Sequence, residues 1–104
     1  MLKKILALLF TLALVCGAST GSVSAANLKV GMVFDIGGKG DQSFNDSAYR
    51  GLQWASKLGI THVEIEPGAD ADRETGLRMI ASQGFNLVIG VGFLFTDAIK
   101  AVAD

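Results

Sequence analysis

Apolar residues fall along the 104-residue chain in one long run and three short ones. The long run, Ile5 to Cys16, is broken only by Thr11 and follows the cations Lys3 and Lys4. A helix needs roughly 20 apolar residues to cross a hydrocarbon core, so this run is too short to span one. Small residues follow it from Gly17 to Ala26, with Val23-Ser24-Ala25 and Ser24-Ala25-Ala26 suited to signal peptidase. Residues 1–26 therefore read as a cleaved secretory signal. Cys16 sits just past the apolar run, where a lipoprotein carries its lipidated first residue. Its neighbour Val15 is bulkier than such sites favour.

The short runs alternate with helical periods. Leu28–Phe34 and Phe85–Val91 suit strands buried on both faces. Thr61–Glu66 alternates Val63 and Ile65 with polar neighbours. Between them, Phe44, Ala48, Leu52, Ala55 and Leu58 recur near helical spacing, which predicts a helix over Ser43–Leu58. Ser43 with Asp46 resembles a capping box, and Gly59 fits the turn that ends the helix. A second helix runs from Asp70 or Asp72 to Gln83, with Leu77, Ile80 and Ala81 on one face. After a loop over Gly92–Phe95, Thr96 caps a third. The order is βαβαβα with helix-sized crossovers. It predicts α/β architecture with an open parallel sheet and right-handed connections.

Charge narrows the chemistry. Without residues 1–26, 7 basic and 10 acidic side chains remain, a net of −3. No basic footprint for nucleic acid is present. Cys16 is the only cysteine, so the mature part has no disulfide framework. Neither a Ser/His/Asp nor a Cys/His set is available from the single His62. His62 is a poor candidate for a metal or base. Asp70, Asp72 and Glu74 lack EF-hand spacing and fit helix capping better than calcium. No cofactor or metal site is expected.

In an open α/β sheet, ligands bind outside the carboxyl ends of the strands, at the point where strand order reverses. Two loops qualify, Asp35–Asn45 after the first strand and Gly92–Phe95 after the third, and they are expected to face each other. Asp35 is held by a rigid strand end, and its carboxylate suits a vicinal diol. It equally suits an Asx turn that caps its own loop. The segment 37–43 is Gly-rich, but it matches neither a Walker loop nor GxGxxG, and Asp41 would repel an anion. Lys39 reads as a solvated charge. Phe44 is either the first core residue of its helix or a flat ring at the crevice edge. Asn45 beside it offers the donor and acceptor that a purine edge needs, or else faces solvent.

Lys29–Asn45 (KVGMVFDIGGKGDQSFN) strongly resembles the basic membrane protein family of ABC-transporter substrate-binding proteins, the purine nucleoside receptor type. Ile89-Gly90-Val91-Gly92-Phe93 and Thr96-Asp97-Ala98 look like the family's third strand and following helix. The resemblance implies a type I periplasmic-binding-protein fold in which two lobes close on a ligand. It implies that Asp35 bonds the ribose, Phe44 stacks on the base and Asn45 bonds the base edge, with Gly92 and Phe93 at the cleft lip. It also implies an exported, non-enzymatic protein that hands a nucleoside to a membrane permease. Residues 27–104 would then be the first part of lobe 1, incomplete and marginally folded or prone to aggregate. The alternative is a small α/β enzyme or phosphate-binding module built on the Gly-rich loop 37–43.

Overall fold

The three short apolar runs pair side by side at the centre of a computed structural model that describes residues 27–104. The signal segment and Cys16 lie outside the described residues. Strand β1 (Lys29–Val33) is central, flanked by β2 (Thr61–Ile65) and β3 (Leu87–Gly90) in the order β2-β1-β3. Both pairings are parallel, with Val33 opposite Ile65 on one side and Gly90 on the other. Helix α1 (Phe44–Lys57) joins β1 to β2, α2 (Asp72–Ser82) joins β2 to β3, and α3 (Thr96–Ala103) follows a 3-10 turn at Phe93–Phe95. This is the predicted βαβαβα order in an open parallel sheet.

Strand alternation divides the core in two. Met32 and Phe34 point to one face and pack with Leu52 of α1 and with Val91. Val33 points to the other face and packs with Leu77 and Ile80 of α2 and with Phe95. The apolar stripe of each crossover helix is thus buried against opposite faces of one sheet, the doubly wound arrangement. Gly31 lets α2 approach β1 closely, since a Cβ there would lie 2.0 Å from Ile80 Cγ2.

Several local expectations are corrected. Ser43 makes no side-chain cap; Asp41 accepts hydrogen bonds from the amides of Ser43 (2.8 Å), Asn45 (3.0 Å) and Asp46 (3.1 Å) instead. An acceptor two residues upstream of Ser43 reaches the free amides better because the Gly-rich loop curls back on itself. Asp72 accepts from Gly68 and Ala69 in the turn before its helix, and Thr96 donates to the Phe93 carbonyl. Phe95, expected in a loop, is fully buried, because the 3-10 turn folds its ring under the sheet. Phe44 and Leu58, at the two ends of the α1 stripe, are 70% and 69% exposed.

Candidate functional site

β2 and β3 leave β1 on opposite sides, so the crevice opens at the carboxyl ends of β1 and β3. Asp35 follows β1 there, and Gly92 follows β3. The two expected loops do meet: a Cβ on Gly92 would sit 2.9 Å from Asp35 Oδ2. Gly92 has φ 99 and ψ 160, a conformation nearly reserved for glycine. Position 92 is therefore glycine on two counts, backbone shape and clearance over the carboxylate.

The two oxygens of Asp35 have different surroundings. Oδ1 accepts from the Ile36 amide at 2.8 Å and from Arg73 Nη2 and Nε at 2.8 and 3.2 Å. Among the described residues no donor bonds Oδ2. Arg73 is buried on α2, with its Nη1 on Asp70 at 3.1 Å and its Cζ 5.7 Å from the centre of the Phe95 ring. Its hydrogen bonds to Asp35 hold the guanidinium still more firmly in its charged form, against the opposing effect of burial.

Sequence reasoning missed Arg73. The available signal was its place one helical turn before Leu77 and two before Ile80, a cation on the apolar stripe of α2.

Asn45 is 2% exposed, and its amide braces the same residue. Its Oδ1 accepts from the Asp35 amide at 2.9 Å, and its Nδ2 donates to the Asp35 carbonyl at 3.2 Å. The start of α1 is thereby tied to the end of β1. Phe44, one residue earlier, is 70% exposed, and Phe93, next to Gly92, is 79% exposed. Asp35, Asn45 and Gly92 are thus brought together around one carboxylate. Phe44 and Phe93, their neighbours in sequence, are exposed.

The Gly-rich loop does not offer an anion cradle. Asp41 takes the amide of Ser43 and those of Asn45 and Asp46 in the first turn of α1, and Asp46 takes those of Gly40 (2.6 Å) and Gln42 (2.9 Å). Burial pushes the Asp41 carboxyl up, but the amides of Ser43, Asn45 and Asp46 outweigh it and bring it below its ordinary value. Lys39 is not a free charge either. It pairs with Glu64 and with Glu66 at 3.5 Å, and its Nζ lies 4.8 Å from the Tyr49 ring centre. The hydrogen bond to Glu64 raises its pKa above the usual lysine value. A phosphate entering this loop would compete with carboxylates for the amides of Gly40, Gln42 and Ser43, which weighs against the phosphate alternative.

Asp70, Asp72 and Glu74 are likewise engaged, by Arg73, by the Gly68 and Ala69 amides and by Arg78. Among the described residues no group of three or more His, Cys, Asp or Glu side chains is arranged to hold a metal ion.

Comparison with known proteins places this geometry in a family. Residues 28–104 match the Bmp family, described as ABC transporter substrate-binding protein PnrA-like. An uncharacterized lipoprotein of Pyrococcus abyssi is 39% identical over 90 residues, covering 85% of this chain and 22% of that protein. The ABC transporter nucleoside-binding protein BmpA of Lactococcus lactis is 33% identical over 91 residues, covering 83% of this chain and 26% of that protein. Among solved structures, an ABC transporter system solute-binding protein from Aeropyrum pernix superposes with a TM-score of 0.66 at 37% identity. It covers 73% of this chain and 21% of the other. The chain thus spans about a fifth to a quarter of the length of the relatives it matches. The family, the Lactococcus relative and the Aeropyrum structure are all described as binding proteins of ABC transporters. With the family matched over residues 28–104, the chain belongs to the Bmp family of PnrA-like ABC transporter substrate-binding proteins.

Proposed function

We propose that the chain forms one wall of a nucleoside site in the exported binding component of an ABC transporter. The observation that carries the proposal is a carboxylate oxygen, Asp35 Oδ2, that has no donor among the described residues and lies close to Gly92, with the exposed Phe44 beside the Asn45 that braces Asp35. Such an oxygen accepts hydrogen bonds and gives none, so it selects a ligand that donates, as a ribose hydroxyl does. Phe44 and Phe93 offer flat faces of the size of a purine, and base–aromatic stacking contributes about 1–3 kcal/mol per base in nucleic-acid sites. Asn45 serves the site by holding the main chain of Asp35 on both sides. The name of the Lactococcus relative supports a nucleoside as ligand.

In this proposal a second lobe closes over the ligand, and the complex docks on a membrane permease. Export follows from the reading of residues 1–26, and the relatives' lipoprotein names favour attachment to the membrane. The intact mass of the exported protein separates the two processing routes. A start at Asn27 supports plain signal cleavage, and a lipid-bearing start at Cys16 supports the anchored form.

The binding proposal is tested by following amide resonances of the chain during titration with inosine, adenosine, free ribose and inorganic phosphate. Saturable shifts at Asp35, Phe44 and Gly92 with the nucleosides, and none with phosphate, support it. Phosphate shifts in the 37–43 loop, with no response to nucleosides, contradict it.

A further inference from the structure

We infer that Arg73 is a positioning residue for ligand capture, fixing which oxygen of Asp35 meets the ligand. The inference rests on the nucleoside reading of the site. A carboxylate on a short side chain presents two equivalent oxygens, and rotation about its last bond exchanges them. An arginine fork opposite a carboxylate commonly spreads two parallel bonds over both oxygens. Here the fork is offset: Nη2 and Nε both fall on Oδ1, at 2.8 and 3.2 Å. The Ile36 amide joins them on the same oxygen at 2.8 Å. Three donors on Oδ1 and none on Oδ2, among the described residues, leave a single acceptor turned to the crevice.

The brace is itself held rigid. Arg73 is only 8% exposed, lies against the buried Phe95 ring and is tied at its other end to Asp70. Its position on the α2 stripe is one where an apolar side chain would pack without a desolvation cost. A buried ion pair adds little net stability over such a replacement. What the pair does supply is orientation at the mouth of the crevice. The Asp35–Arg73 bond links β1 to α2, across 38 positions of sequence, at the one place where the ligand's hydroxyl would arrive.

The experiment is a double-mutant cycle read by resonance titration of the whole chain, with two probes, inosine and its 2′,3′-dideoxy analogue, which lacks the vicinal diol. Asp35→Asn, Arg73→Met, Arg73→Lys and the Asp35→Asn/Arg73→Met pair are compared. Arg73→Met is expected to weaken inosine binding by about 10- to 100-fold, the size of one charge-assisted hydrogen bond. It leaves the dideoxy analogue unchanged, and in the double variant it adds no loss beyond that of Asp35→Asn. Arg73→Lys keeps the charge but has no planar fork, so it recovers part of the affinity. If Met at this position unfolds the chain, the lysine variant carries the same two-probe comparison alone.

Equal losses for both probes would make Arg73 a structural residue only and overturn the inference. So would an Arg73→Met chain that binds inosine normally while Asp35→Asn does not, and in that case the nucleoside reading stands. An Asp35→Asn chain with unchanged inosine affinity overturns that reading itself.

Discussion

At the level of single residues, the site depends on one acid and the neighbours that leave half of it free. Gly92 is the most sensitive of them. Alanine there adds a Cβ 2.9 Å from Asp35 Oδ2 and forces a backbone shape that costs about 1–3 kcal/mol for a residue other than glycine. Gly92→Ala should lower the melting temperature and abolish nucleoside shifts at Asp35, both measurable on one sample. Phe44→Ala should leave the melt nearly unchanged, because the ring is 70% exposed, and weaken nucleoside binding by about 1–3 kcal/mol. Asp41 gives a pH prediction. Its folded pKa lies below the ordinary 3.8, so its contribution to stability is complete above that value and is lost as pH falls through the folded pKa. Replacing Asp41 with Asn should therefore flatten the acid limb of a stability–pH curve below about pH 4. Asp35 and Gly92 were legible in the sequence because each follows an apolar run directly, and Phe44 because it opens the helical period of α1. Arg73 was not, since its partner stands 38 positions away and only the folded sheet brings them together.

At the level of elements, the sequence periods located each strand and α-helix among the described residues, and the departures are at their ends. The cap of α1 moved from Ser43 to Asp41 because the loop between β1 and α1 folds back on its own amides. Phe95 left the expected loop for the core because a 3-10 turn precedes α3. Both events are set by loop geometry, which hydrophobic spacing does not encode. The contact between β1 and α2 carries the clearest prediction at this scale. A methyl on Gly31 would overlap Ile80, which is 1% exposed, so Gly31→Ala should cost about 1–3 kcal/mol by overpacking. Ile80→Ala removes the obstructing methyl at its own cost. The double variant should consequently be more stable in a denaturant melt than the sum of the two single losses.

On the scale of the whole molecule, the described residues form a three-stranded sheet whose outer strands, β2 and β3, each have one partner. Beside β3, an apolar hollow of 230 Å³ is lined by Leu77, Ala81, Val88, Ile99 and Val102, and Leu87 is half exposed on the strand itself. An edge strand with apolar neighbours is a template for pairing with another chain. Sedimentation of residues 27–104 should accordingly show association that grows with concentration, and a Leu87→Lys substitution should reduce it. The open α/β class, the parallel order and the crevice at the ends of β1 and β3 all followed from alternating periods, because crossovers of helix length admit few other topologies. The central claim is that Asp35 Oδ2 is the acceptor for a nucleoside's sugar. A crystal structure of the chain with inosine bound tests it most directly. The account predicts a ribose hydroxyl within hydrogen-bond distance of Oδ2, Arg73 still on Oδ1, and the base against Phe44. Inosine seated away from Asp35, or bound through the amides of the Gly-rich loop, would contradict it.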